Sequence, residues 1–252
     1  MMRILVSNDD GIHAPGLKVL EKIARSLSKD VWVVAPEFEQ SGASHSLTLT
    51  MPLRLRKIAA RKYAVRGTPT DCVMMAMHEI FKDKKPDLLL SGINRGANLG
   101  EDVTYSGTVA VAMEGSLLGV PSIALSQCFQ HGHPVKWATA EHHAPKVIKK
   151  LLKSGWPKGT LINVNFPDVV ADSVTGVEVV PQGQRDLTDL LLDARVDARG
   201  VPYYWIGFRR QKSKSKRHTD LGATENGAIS VTPLQLDLTH DASMKALKTA
   251  LR

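Results

Sequence analysis

Residues 3–11 read Arg-Ile-Leu-Val-Ser-Asn-Asp-Asp-Gly, and the way this run is read decides the fold. Ile4-Leu5-Val6 is a short continuous apolar stretch, so Arg3 to Ser7 reads as a buried strand. Two adjacent carboxylates, Asp9 and Asp10, then run into Gly11 before any helix has begun. Like charges side by side repel, and a turn carrying both asks for a reason.

The pattern on either side is strand and helix in alternation. Leu17, Leu20, Ile23, Ala24 and Leu27 recur on one helical face, and Val31 to Ala35 reads as a second buried strand, closing a βαβ unit at Pro36. Short strand candidates follow at Leu53 to Leu55 and Tyr63 to Val65. Thr68-Pro69-Thr70-Asp71 then has the form of a helix start, with a hydroxyl cap, a proline in the first turn and a reciprocal acid. Val73, Met74, Met77, Ile80 and Phe81 supply its apolar face. Asp87 to Leu90 predicts a strand, the Gly- and Asn-rich segment after it a loop, and Ser106 to Leu118 a helix of small residues. Pro121 to Leu125 predicts a further strand and Glu141 to Leu152 a helix, which Pro145 must begin or kink. Such alternation predicts an α/β fold: a Rossmann-like, mostly parallel sheet with helices on both faces. Beyond Gly159, Leu161 to Phe166, Val177 to Val180, Tyr203 to Phe208 and Ile229 to Leu238 read as strands without strong helical periodicity between them. The expected division is a Rossmann-like core over 1–160 and a β-rich extension over 161–252 that completes the fold.

A chain of 252 residues with 43% hydrophobic content is large enough to bury a real core. Its formal charge of +8 is local, because Arg209 to His218 holds six Lys or Arg and no acid, leaving +2 for the rest. A Ser- and Lys-rich run without interleaved aromatics reads as a solvated loop, so nucleic acid is not the expected partner. Cys72 and Cys128 have no metal or disulfide spacing, no leader pattern opens the chain, and no run approaches the roughly 18 apolar residues of a membrane span. A soluble cytoplasmic protein is expected.

In an open parallel sheet, ligands bind at the carboxyl ends of the strands. Asp9 and Asp10 follow the first strand, Glu39 to Ser46 (EQSGASHS) the second, and Ser91 to Gly100 (SGINRGANLG) the one ending at Leu90. Carboxylates, the Ser41 hydroxyl and the amide oxygens of Asn94 and Asn98 are all hard oxygen donors, the ligand chemistry of Mg²⁺, Mn²⁺ or Ca²⁺. A divalent cation would relieve the Asp9–Asp10 repulsion; an Asp-Asp-Gly turn that merely caps the next helix explains the acids alone. Ser106-Gly107-Thr108 opens a helix whose free N–H groups suit a phosphate, or simply carries a hydroxyl cap. Replacing Gly107 is expected to obstruct phosphate at little cost in stability. No P-loop and no G-x-G-x-x-G is present. His131, His133, His142 and His143 read as solvated, while His13 and His45 lie near the candidate loops in sequence.

Taken together, SNDDGIHAPGL, VAPEFEQSGASHSLTL, GTPTDCV, SGINRGANLGEDVTYSGTVAVAMEG and SVTPLQLDLT resemble the SurE family of stationary-phase survival proteins, from Arg3 to Thr239. The resemblance implies a metal-dependent phosphomonoesterase, a 5′-nucleotidase acting on nucleoside 5′- or 3′-monophosphates, with short polyphosphate a further substrate of some members. It implies one divalent ion per subunit, Mg²⁺ or Mn²⁺ with Ca²⁺ as a further occupant, held by Asp9, Asp10, Ser41 and Asn94. Phosphate would be bound by Asn98, Ser106, Gly107 and Thr108, with Asp9 or Asp10 as general base. A covalent aspartyl mechanism is disfavoured, since phosphatases of that kind carry D-x-D and these acids are adjacent. The resemblance also implies a homodimer or homotetramer formed through the C-terminal arm, with Trp205 at or near the interface.

Overall fold

The computed structural model describes residues 1–184, 190–208 and 218–251. In chain order its main elements are β1 (Arg3–Ser7), α1 (Pro15–Leu27), β2 (Asp30–Pro36), β3 (Arg54–Ala59), β4 (Lys62–Arg66), α2 (Pro69–Met75), β5 (Leu88–Arg95) and α3 (Gly107–Leu117). They continue with β6 (Ser122–Gln127), α4 (Trp137–Ser154), β7 (Thr160–Phe166), β8 (Gly176–Val179), β9 (Leu190–Val196), β10 (Pro202–Phe208), α5 (Asp220–Glu225), β11 (Ala228–Gln235) and α6 (Asp241–Ala250).

Nine strands form one sheet in the order β3-β4-β2-β1-β5-β6-β7-β11-β8, while β9 and β10 pair separately. From β4 to β7 every pairing is parallel; β3 runs antiparallel to β4, and β11 antiparallel to β7. The predicted α/β sheet with helices on both faces is what forms. Alternation along β1 and β5 divides the core: Ile4, Val6, Leu88 and Leu90 join Leu17, Leu20, Ile23, Ala144 and Ile148 on the α1–α4 face. Leu5 and Leu89 join Cys72, Val73 and Val111 on the α2–α3 face. Both strands are therefore apolar without interruption, which is how the sequence identified them.

Several elements depart from the sequence expectation. Strand β5 does not stop at Leu90 but continues through Gly92 to Arg95, with a register shift against β6 between Ser91 and Asn94. Gly92 makes this feasible: φ is +127°, and a Cβ there would lie 2.2 Å from Leu125 O. A glycine that reads as a loop residue instead marks a bulge pressed against the next strand. Helix α4 starts at Trp137 and carries Pro145 in its interior, where burial of Ala140, Ala144, Val147 and Ile148 outweighs the missing N–H. Helix α2 runs on as a π-helical turn over Ala76–Ile80. Strand β11 ends at Gln235, and β9, α5 and α6 were not legible as elements.

The expected start of α2 is present in full. Thr68 Oγ1 accepts from Asp71 N at 3.1 Å, while Asp71 Oδ2 accepts from Thr68 N at 2.8 Å. The basic run lies outside the described residues except for His218, which is exposed. Among the described residues no helix is long and apolar enough to cross a membrane.

Candidate active site

Strand β1 lies between β2 and β5, the two strands reached by crossovers in opposite directions, so their carboxyl ends open a crevice. Asp9 and Asp10 stand there. Asp9 is 4% exposed and accepts a hydrogen bond from the Thr108 hydroxyl at the start of α3. The loop after β2 is fastened to the same point, with Gln40 N donating to Asp9 O at 2.8 Å. On the other side Arg95 N, at the end of β5, approaches Asp10 Oδ2 at 3.3 Å. Three strand ends and one helix start thus converge on two adjacent acids.

The electrostatics follow from burial. Asp9 is shifted upward chiefly because burial disfavours its anion, although the Thr108 hydrogen bond opposes this. Asp10 is raised to about 6, first by burial and then by the charge of Asp9. Glu39 adds like charge to both and was not anticipated as a member of the site. Among the described residues neither aspartate forms an ion pair with Lys, Arg or His. Two partly desolvated carboxylates with acceptor atoms unspent fit a divalent cation, and Asn8 Oδ1 beside them is a further buried acceptor without a hydrogen-bond partner. No group of three or more His, Cys, Asp and Glu in metal-holding reach occurs among the described residues, so the two acids need neutral oxygens to complete a shell.

Of the residues read from sequence, Ser41 lies on the exposed turn after β2 and its Oγ donates to Glu39 Oε1 at 3.0 Å. Asn94 sits within β5, its Nδ2 donating to Gly96 O at 3.0 Å, which turns the amide oxygen away from that bond. Asn98 is 5% exposed and tied down on several sides. Its Nδ2 donates to Ser126 Oγ at 2.8 Å, its N–H to Asn165 Oδ1 at 2.8 Å, and its carbonyl accepts from Asn163 and Asn165. Ser106 caps α3, accepting from Val109 N at 3.0 Å and keeping its hydroxyl hydrogen to donate. Gly107 is not merely open space for an anion, since a Cβ there would lie 2.7 Å from Asp9 Cβ and 3.0 Å from Pro69 Cγ. The expectation that its replacement costs little stability is corrected by that contact.

The histidines divide as follows. His45 Nε2–H donates to Glu114 Oε2 at 2.9 Å, joining the loop after β2 to α3. His131 and His133 are exposed, and His143 donates to Ala171 O.

Known proteins share the sequence and the fold of this chain. Residues 4–189 match the family model described as survival protein SurE. Over 249 residues the chain is 65% identical to "5'-nucleotidase SurE" of Paramagnetospirillum magneticum, covering 99% of this chain and 95% of that one. It is 63% identical to the protein of the same name from Parvibaculum lavamentivorans, covering 99% and 91%. A crystal structure of SurE protein from Aquifex aeolicus superposes with a TM-score of 0.86 at 43% identity, covering 99% of this chain and 100% of that one. With the family model matched over most of the chain, relatives 65% and 63% identical along nearly its whole length and the same fold in a solved structure, the chain belongs to the SurE family.

Proposed function

We propose that this protein is a divalent-metal-dependent 5′-nucleotidase that hydrolyses nucleoside 5′-monophosphates to nucleoside and phosphate. The observation that carries the reading is the contact of Asp9, the neighbour of Asp10 at the carboxyl end of β1, with the Gly107–Thr108 turn. Asp9, Asp10, Ser41 and Asn94 would hold one cation, Mg²⁺ or Mn²⁺, with Asn98, Ser106, Gly107 and Thr108 around the phosphate. Such a cation supplies charge neutralisation of the phosphoryl oxygens and a water acidified for attack.

The protein's own groups account for the remainder. Thr108 gives its hydroxyl hydrogen to Asp9 and so fixes that carboxylate. Asp10, the less buried of the two, is the group to take the proton of the attacking water as the P–O5′ bond breaks, and that proton goes to the departing nucleoside oxygen. Backbone N–H groups in the first turn of α3 face developing charge on the phosphoryl oxygens. Phosphate release from a panel of 5′- and 3′-monophosphates and short polyphosphate, with and without chelator, tests the reading. EDTA is expected to abolish turnover and added Mn²⁺ or Mg²⁺ to restore it. Full turnover by exhaustively dialysed protein in chelator would overturn it.

All proposed site residues fall within 1–160, which supports that segment as the catalytic core. The segment 161–252 contributes β7, β8 and β11 to the sheet and also carries the β9–β10 hairpin. We propose a homodimer or homotetramer assembled through that hairpin and α6. Tyr204, Trp205 and Ile206 are 57%, 61% and 69% exposed, and no residue of α6 is buried. A lone hairpin with such a surface is marginal in water, which favours burial against another copy. We propose a cytoplasmic setting, in which Cys72 is kept as a buried thiol.

A further inference from the structure

We infer that Arg95 is the side chain that anchors the substrate's phosphoryl group from the rim of this site, with Phe129 as the platform that holds its guanidinium in place. The inference rests on the nucleotidase reading above. The backbone N–H of Arg95 reaches Asp10 Oδ2, and Asn94, a proposed cation ligand, immediately precedes it. The guanidinium carbon lies 5.2 Å from the centroid of the Phe129 ring, within the range of a cation–π contact.

Charge explains why such a group is wanted. Asp9 and Asp10 together carry two negative charges that one divalent cation offsets, and a phosphate monoester brings up to two more. Arg95, at the end of β5, meets Asp10 through its backbone N–H, so a positive charge is carried by the residue that borders the two acids. Among the described residues it forms no ion pair, and its side chain is exposed, so its donor edge is open to an anion. A guanidinium presents paired N–H donors in the geometry that phosphate oxygens accept.

Placement supports the same reading. A Cβ on Gly96 would lie 3.8 Å from Asn94 Nδ2 and 3.9 Å from Phe129 Cε1, so the amide and the ring flank one point. The loop carrying Phe129 is itself secured. Gln127 Nε2 donates to Pro167 O at 2.9 Å, Cys128 N to Phe166 O at 2.9 Å, and Gln130 N to Asp168 Oδ2 at 3.0 Å. A long side chain that would otherwise sample many rotamers is thereby held over a fixed ring, reducing the entropy lost when phosphate arrives.

The test compares wild type, Arg95→Met, Arg95→Lys and Phe129→Leu as full-length protein with Mg²⁺, by calorimetric titration with inorganic phosphate and by kinetics on 5′-monophosphates with different bases. Arg95→Met keeps an apolar stem over the ring and removes the charge. It should weaken phosphate binding and raise KM by about tenfold or more, equally for every base, with an unchanged melting temperature. Arg95→Lys should recover part of the loss, and Phe129→Leu should show a smaller loss in the same two quantities. Wild-type phosphate affinity in Arg95→Met, or a loss that depends on the base, would overturn the assignment and make Arg95 a bystander or a base platform respectively. Wild-type protein that binds phosphate but hydrolyses no nucleotide would instead defeat the nucleotidase reading, with the titration still deciding the role of Arg95.

Discussion

Two single residues at the site have consequences that can be measured separately. Asp10 is held at about 6 against an ordinary value of 3.8, so the native state binds its proton more tightly than the unfolded chain does. Without a cation, its contribution favours the native state below about 3.8 and is lost as pH rises through about 6. Asp10→Asn should therefore be the more stable protein above pH 6 in chelator, by an amount on the order of 2 kcal/mol. Added Mn²⁺ should reverse the order by stabilising only wild type; chelator-treated melts at pH 5 and 7.5 give the comparison. Gly107 is the second case. At this first helical position alanine's propensity advantage is small, while its Cβ would press on the Asp9 side chain at 2.7 Å. Gly107→Ala should displace that carboxylate, lowering kcat/KM at least tenfold and weakening Mn²⁺ binding in a calorimetric titration. The sequence marks Gly107 as special for its position at a helix start; that its partner is Asp9 is a long-range fact.

Among the elements, the short helix α5 joins the site loop to the segment before it through one carboxylate. Asp220 is fully buried, accepting from Gly100 N at 2.9 Å through Oδ2 and from Gly183 N and Leu221 N at 2.8 Å through Oδ1. Both oxygens are spent on N–H donors, so an asparagine in either orientation sets its NH₂ against at least one of them. Asp220→Asn should cost roughly 2–4 kcal/mol in urea unfolding and loosen the turn at Gly100–Thr104, which follows Asn98. Nothing near Asp220 in sequence announces this, since its partners are 120 and 37 residues away as well as adjacent. The capping box at Thr68 was legible for the opposite reason, because all of its bonds close within four residues. Strand β5 was half legible: its apolar run was seen, and its continuation through Gly92 depends on the facing carbonyl of β6.

For the whole molecule, the sheet order explains where the proposed site opens, and the β9–β10 hairpin stands apart from that sheet. Strand β11 lies between β7 and β8, so truncation after Pro202 removes an interior strand of the sheet together with β10 and α6 and should unfold that side of the sheet for reasons unrelated to association. Substitution on the hairpin is the cleaner probe. Trp205→Asp combined with Ile206→Asp leaves the nine-stranded sheet untouched, and both side chains are exposed within one chain. Light scattering should report a smaller particle than wild type, with circular dichroism unchanged; an unaltered oligomer would place the interface elsewhere.

The sequence alone specified the alternation of elements, the buried strands around Leu5 and Leu89, the cap at Thr68 and the family, because periodicity, capping and motifs are carried by residues close together in the chain. It also singled out Asp9 and Asp10, since adjacent acids at a strand end are conspicuous without coordinates. Which groups meet those acids was settled by tertiary structure. Thr108 reaches Asp9 across 99 positions and Arg95 reaches Asp10 across 85, distances over which no periodicity operates. Strand order brings the chain back to the same crevice from β2, β5 and α3, and burial there raises both carboxylates by removing the water that would otherwise stabilise their charge.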